Sequence, residues 1–585
     1  MKHDTLIFLG QLFRGTRGHR VTVCLIVVLA ALLRLWGITF GSPLLVHPDE
    51  PEVLNPAYLI WKNRTLDPDI YRRPNHISIY LNALSQQMFS LIRFQAPITA
   101  TYHTHRLAFY FFSRTLVALF GVMTVLLAYL AGRLFSANLG LIFALLFAVF
   151  PAYVEHSHYV SPDITVTCFL VAVIYFSLLY RDMRTTPYLV LMSLLTGIAT
   201  AEKYPGLLGM LLVSWVIIEA NRHSISRMLR DLVRSWVVFF LTIVLCAPFL
   251  IIRFETTVSS IFREARMTHL GADGLGYWGN MAFYFLDFVE NTGLLTVFFL
   301  VWGSVMVLRK EKTRAVPLFL GAVLLLVLSK IPLHWTRWAL PMMTSGLFLS
   351  GYGIYHCGSL SHTRLWTSRT RTKKFLHIMV MAVLCVPIVG MLLTSVFVSR
   401  NLSLPDTRSE ALAFCQSENI TPHNSVYEWY TPFAPGASGK GTRDFFGHVI
   451  GALDNRDISI RYVILSSRMF ERYYAEPERY ADKISVYERV KREGIEIKAF
   501  LSDDRPGTNA TKTLKFKPSL RWFPTLRTLE AYFRVGRDER RTPLQGPEIF
   551  IYRISRNQSA HWSGGRYDHT DRGQPLAPHL DQEAD

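Results

Sequence analysis

The chain has 585 residues, half of them hydrophobic and only 18% charged, with a mean hydropathy of +0.24; it is too long and too apolar for one soluble core. A formal net charge of +19 would suit a nucleic-acid partner if the cations ran along one polar face. They sit instead in short loops between apolar stretches, which excludes nucleic acid and fits Lys and Arg held on the cytoplasmic side of a membrane. Six cysteines show neither a CxxC pair nor metal-ligand spacing, and read as inert packing residues.

Residues 1–20 are expected to be cytoplasmic, because Arg14, Arg17 and Arg20 precede the apolar run Val21–Phe40. That run is long for a signal peptide and lacks a small-residue cleavage site, so it reads as a retained first span. A long first outer loop, 41–106, follows, mixed in sign and expected to hold helices lying along the membrane surface. Further apolar runs of spanning length lie near Leu107–Ala131, Leu139–Tyr153, Ile164–Leu179, Tyr188–Thr200 and Gly206–Ile218. Five more lie near Trp236–Ile252, Gly293–Leu308, Val316–Leu328, Trp338–Tyr355 and Leu376–Val398. The expectation is about eleven transmembrane helices within 21–399.

An odd count puts the termini on opposite sides. With the N-terminus inside, the inner loops carry Arg181 and Arg184; Arg222, Arg227, Arg230 and Arg234; Arg309, Lys310, Lys312 and Arg314; and Arg364, Arg369, Arg371, Lys373 and Lys374, as the positive-inside bias requires. This is the pattern of a multi-pass protein of the inner or plasma membrane. Residues 400–556 turn polar, with strand-like runs Tyr462–Ser466, Ile495–Phe500 and Glu548–Ile554 between helical segments Thr407–Ser417 and Ile484–Glu493. They predict an extracytoplasmic soluble α/β domain. The tail 557–585 is rich in Gly, His, Asp and Pro, lacks apolar periodicity, and is expected to be disordered.

The unusual polar residues fall in loops that this topology places on one outer surface. His47-Pro48-Asp49-Glu50 follows the first span; a carboxylate pair held by prolines at the membrane edge is partly desolvated and suited to act as a base, although acidic loops are commonly just solvated. Glu155-His156-Ser157-His158 and Ser161-Pro162-Asp163 join the third and fourth spans. Glu155, His156 and His158 suit an acceptor hydroxyl or a divalent metal, and equally suit anchoring of a helix end at the interface. Lys203 and Arg337 are outer-side cations that the positive-inside bias leaves unexplained, suited to a lipid phosphate or to snorkelling towards headgroups. Arg34 is placed to snorkel or to pair with Asp49 or Glu50. Lys330 and His334 stand near Arg337, and the glycine-rich loop around Gly271 and Gly274 reads as a mobile cover or an ordinary surface loop.

Transfer of a sugar from a phosphate-linked donor needs a base for the acceptor proton and positive charge for the departing phosphate, with no general acid. A glycosidase needs a second, protonated carboxyl, so the inventory favours a transferase. The order of Asp49-Glu50 after the first span, Ser161-Pro162-Asp163, Glu202-Lys203-Tyr204 and Arg337-Trp338-Ala339-Leu340-Pro341 resembles the protein O-mannosyltransferase-like branch of the C-type glycosyltransferase superfamily. The likeness covers roughly Leu25 to Tyr355, with an echo at Arg461–Tyr480 and Gly546–Arg553. It implies a polyprenyl-phosphate sugar donor, inversion at the anomeric centre and work on the outer membrane face. Carried onto this sequence, it implies Asp49 as base with Glu50 beside it, Asp163 as a second acidic site residue, and Lys203 and Arg337 at the donor phosphate. Pro205 after Tyr204, and the histidines His156 and His158, depart from the mannosyl branch and leave a divalent metal open; no organic cofactor is expected. The acceptor is a lipid, glycan or protein hydroxyl. The rival reading is a polytopic transporter or lipid flippase, against which stand the absence of a visible repeat and the placement of charge at helix ends rather than mid-membrane.

Overall fold

The computed structural model describes residues 16–264, 270, 275–310, 315–331, 334–368, 370–436, 441–502 and 544–554. Arg14, Gly271, Gly274, Lys312, Arg314, Arg369 and the tail 557–585 lie outside them. The membrane part is helical. In chain order its elements are α1 (Arg17–Leu35), α2 (Glu50–Asn63), α3 (His76–Phe94), α4 (Arg106–Arg133), α5 (Ala137–Val149), α6 (Pro151–His156), α7 (Pro162–Met183) and α8 (Thr186–Glu202). There follow α9 (Leu208–Ala220), α10 (Ile225–Cys246), α11 (Tyr277–Thr292), α12 (Leu294–Lys310), α13 (Val316–Leu328), α14 (Leu340–Ser361) and α15 (Arg371–Leu402).

Among the described residues, four helices are long and apolar enough to cross a membrane: α1, α4, α7 and α15. A fifth span results if α11 and α12, bent by 113° across their junction, count as one. The expected eleven spans are not reached on this criterion. Apolar runs inside a helical bundle read like lipid-facing ones, and several are short: α5 and α13 have 13 residues each, well below the roughly 20 that a bilayer needs. The chain is nonetheless a polytopic α-helical membrane protein with a C-terminal α/β domain.

Buried helix ends need partners for their free carbonyls, and these come from distant side chains. Arg34, wholly buried, donates at 3.0 Å to the carbonyls of Ala30, Phe147 and Ala148. It therefore neither snorkels nor pairs with Asp49 or Glu50; it closes the end of α5, where a cation suits the negative pole of the helix. On α15, the Ser395 hydroxyl donates to the Val149 carbonyl at 2.8 Å and the Ser399 hydroxyl to the Leu33 carbonyl at 2.6 Å, tying the last span to α5 and to the first span. Helices α12 and α14 approach through glycines: a Cβ on Gly303 would stand 2.0 Å from the Leu349 carbonyl oxygen, and one on Gly353 2.1 Å from that of Phe299. Small residues permit such contact in membranes.

The C-terminal domain holds α16 (Thr407–Ser417), β1 (Ser425–Tyr427), α17 (Phe445–Leu453), β2 (Tyr462–Ser466), α18 (Ser467–Tyr474), α19 (Ala481–Glu493), β3 (Gly494–Phe500) and β4 (Ile549–Ile554). Its sheet runs β1-β2-β4-β3, with β1 parallel to β2 and the remaining pairs antiparallel. Val426, Val463, Leu465 and Tyr552 pack under α17 and α19. The domain is seated on the first loop: Arg408, oriented by Asp406 at 2.7 Å, donates to the Val46 carbonyl at 3.2 Å and the Pro435 carbonyl at 2.8 Å.

Candidate active site

Four helix ends supply the candidate residues. Asp49 is the N-cap of α2, with Pro51 in the first turn, and Asp163 lies in the first turn of α7 behind Pro162; proline suits a first turn and carboxylates suit its positive pole. Lys203 is the extended residue that ends α8 before the 3-10 turn Tyr204–Leu207. Arg337 lies in the 3-10 turn Thr336–Ala339 that leads into α14.

The structure brings these four together as two ion pairs. Arg337 Nη1 stands 2.7 Å from Asp49 Oδ2, and Lys203 Nζ stands 2.5 Å from Asp163 Oδ1. Arg73 approaches Asp49 Oδ1 at 3.6 Å and Glu52 Oε2 at the same distance, while Arg72 holds Glu52 at 2.7 Å. Trp335 and Trp338 face the guanidinium of Arg337 and the ammonium of Lys203 at 5.2 and 5.9 Å from their ring centres. Counting Arg73, Lys203 and Arg337 against Asp49 and Asp163 leaves one positive charge over, which suits an incoming phosphate.

Burial raises the Asp49 carboxyl, but Arg337, with Arg73 and Lys203, more than offsets it and holds the group well below the usual carboxylate range. For Lys203, burial pulls the ammonium below the ordinary lysine value and Asp163 pulls it back. His47 accepts a hydrogen bond from the Asp49 backbone N–H at 3.3 Å and stacks on Tyr159 with ring centres 4.3 Å apart; burial takes it down to about 3, so its ring is neutral and free of competing charge. His156 meets the other side of this aromatic group, 5.7 Å from Tyr159, and burial lowers it too.

Glu50 is placed differently from its neighbour. Its carboxylate is wholly buried and gripped bidentately by Arg114 Nε and Nη2 at 2.7 and 2.8 Å. It also accepts from the Val160 N–H at 3.2 Å. Arg114 further donates to the Ile38 and Phe40 carbonyls at 3.0 Å each and lies over the Phe40 ring at 3.7 Å. Both carboxylate oxygens of Glu50 are thus engaged in joining α2, α4 and the turn before α7.

His158 is held between two backbone carbonyls, Nδ1 at 2.8 Å from Val154 O and Nε2 at 3.0 Å from Trp36 O, the geometry of a helix-end anchor. Among the described residues no three His, Cys, Asp or Glu side chains are grouped to hold a metal. His334 turns to Asn280 Oδ1 at 3.0 Å, and Lys330 is exposed.

Sequence reasoning passed over Arg73, Arg114 and the role of Glu202. The last accepts at Oε2 from the Ser78 N–H at 2.9 Å and at Oε1 from the Ser78 hydroxyl, while its backbone carbonyl accepts from Asn75 N–H at 3.0 Å. It closes the start of α3 and fixes Lys203 beside it. The available signal was an ionisable residue within an apolar helix, which is costly unless it serves a purpose.

Residues 95–252 match the family model described as dolichyl-phosphate-mannose-protein mannosyltransferase, a stretch that contains Asp163 and Lys203. Two solved structures of ArnT from Cupriavidus metallidurans are similar. The apo state is 15% identical with a TM-score of 0.49, covering 77% of this chain and 94% of that one. The structure bound to undecaprenyl phosphate is 14% identical with a TM-score of 0.44 and the same coverage. No curated protein matches the chain.

Proposed function

We propose that this chain is an inverting glycosyltransferase that moves a sugar from a polyprenyl-phosphate donor to a hydroxyl of a lipid, glycan or protein on the outer membrane face. The observation that carries the reading is the double ion pair, Asp49 with Arg337 and Asp163 with Lys203, because each cation is joined to a carboxylate that a phosphate can displace. The family match over the stretch holding the second pair supports the donor class. Cations gathered in the loops at the far helix ends support an inner location for those loops and an outer one for the site.

In this reading the donor phosphate meets Arg337 and Lys203, with the guanidinium supplying a two-pronged fork and the ammonium a point charge. The charge of Arg337 is then shared, and the Asp49 carboxylate regains basicity as the acceptor arrives. Asp49 takes the acceptor O–H proton while the acceptor oxygen forms its bond to the anomeric carbon. The bond from that carbon to the phosphate oxygen breaks on the opposite side, and the electron pair leaves with polyprenyl phosphate. Asp163 holds Lys203 in place, Glu50 holds Asp49, and the 400–556 domain borders the acceptor side. The apolar bundle of 21–399 accommodates the polyprenyl tail.

The test is transfer in proteoliposomes supplied with labelled polyprenyl-phosphate sugars and envelope fractions as acceptors. Wild type is expected to transfer label, Asp49→Asn to bind donor without transferring, and Lys203→Ala to lose donor affinity. Movement of lipid across the bilayer with no transfer from any donor would establish the transporter reading instead.

A further inference from the structure

At the opposite end of the α7–α8 pair lies a second polar cavity. Helix α7 runs from Pro162 to Met183, so this end is roughly 30 Å from Asp163, about one hydrocarbon core away. The cavity has a volume of about 300 Å³, and Arg184, Arg227, Arg230 and Arg234 line it together with Tyr180 and Asp231. Its floor is built. The Tyr180 hydroxyl donates to Asp231 Oδ2 at 2.8 Å and accepts from Asn221 Nδ2 at 2.8 Å, and Asp231 and Tyr180 are buried.

Charge in this cavity does not balance. Asp231 Oδ1 meets Arg230 at 3.4 Å and Arg234 at 3.9 Å, but Arg184 and Arg227 meet no carboxylate among the described residues. Of the nearby acids, Glu219 pairs with Arg181 at 2.9 Å and Asp182 feels the same Arg181. Four guanidinium groups against one carboxylate leave three positive charges converging on one concave surface. Beside it, α10 presents an uncovered apolar face. Val233, Val237, Phe240, Leu241 and Leu245 are all exposed and recur at helical spacing. From Val233 to Leu245 this stripe rises roughly 18 Å, enough for one leaflet's share, roughly 15 Å, of hydrocarbon.

We infer that this cavity binds the phosphate headgroup of an anionic phospholipid, with an acyl chain lying along the exposed face of α10. A free anion would use the arginines and leave the stripe idle; a neutral lipid would use the stripe and leave three charges unmatched. Basic pockets between membrane helices are the structures that select such headgroups.

The experiment measures the apparent melting temperature of the full chain in neutral detergent, titrated with phosphatidylglycerol, phosphatidylcholine or inorganic phosphate. Phosphatidylglycerol is expected to raise it saturably, and the other two to leave it unchanged. The double variant Arg184→Gln with Arg227→Gln is expected to melt like wild type without lipid and to bind phosphatidylglycerol about thirty-fold more weakly. An equal response to phosphatidylcholine, or an unweakened response of the double variant, overturns the inference. So does a full response to inorganic phosphate, which would make the cavity a free-anion site. If the double variant does not fold, Arg227→Gln alone is titrated, and the absence of an about five-fold loss overturns it equally.

Discussion

Replacing Arg337 by glutamine removes the guanidinium that stands 2.7 Å from Asp49 Oδ2. The two side chains keep 19% and 16% of their surface exposed, so water screens the pair only in part. Unit charges with centres about 4 Å apart at an effective permittivity near 20 interact by about 4 kcal/mol, a ceiling of about three pH units. Arg73 at 3.6 Å remains, so a rise of about two units in the Asp49 carboxyl is expected. As the proposed base, Asp49 must be ionised to accept a proton, so activity is expected above its pKa and is lost as pH falls through it. The acidic limb of kcat/KM for sugar transfer should therefore move up by about two pH units, and kcat should fall about a hundred- to a thousand-fold for want of a phosphate partner. Arg337→Lys keeps a point charge without the fork, so its limb should move less. A pH profile in proteoliposomes decides the matter. If Arg337→Gln slows transfer while the limb stays where the wild type has it, Asp49 is not the titrating base.

Three further outcomes concern the supports of the site. Glu50→Gln leaves the buried Arg114 guanidinium without its counter-charge and is expected to cost about 3 to 5 kcal/mol, seen as a lower unfolding temperature in detergent; Glu50→Gln with Arg114→Met should recover part of that loss. Burial pushes the Glu428 carboxyl of the C-terminal domain up to about 8, opposed by the Ser466 N–H and Tyr487 hydroxyl. With its folded pKa above its unfolded one, the stability it contributes is complete below the unfolded pKa and is lost as pH rises through about 8; Glu428→Gln should flatten that decline in a pH series of melting temperatures. Gly353→Leu places a side chain where even a Cβ meets the Phe299 carbonyl, so overpacking should destabilise the bundle by about 1 to 3 kcal/mol or more, and an unchanged unfolding temperature would contradict the close approach of α12 and α14.

What the sequence disclosed was chemistry at punctuation. Asp49, Asp163, Lys203 and Arg337 flank prolines or close apolar runs, and residues at helix ends are where a membrane protein keeps polar groups near water. Strands β2, β3 and β4 and helix α16 were legible from alternation and apolar spacing. Strand β1, at three residues, is too short to alternate. The span count came out lower because several apolar runs are short helices, such as α5 and α13 at 13 residues each, and hydropathy alone does not tell such a helix packed inside the bundle from a full span.

Pairing was the larger gap, and it follows from what periodicity measures. A pattern reports which face a residue occupies, not which distant residue it meets, so Glu50 and Asp49 look alike in sequence. They are adjacent at the start of one helix, and successive residues there point about 100° apart. One direction leads into the protein, to Arg114 on α4; the other leads to Arg337 and the polar cluster. The locked residue restrains the other: with Glu50 tied to α4 and to the Val160 N–H, Asp49 would have little freedom to leave its place if, as proposed, a phosphate draws Arg337 away. Under the proposed mechanism a base that must release its counter-ion during the reaction needs such an anchor on the neighbouring residue, and the buried Glu50–Arg114 pair stands at the helix end where both carboxylates begin.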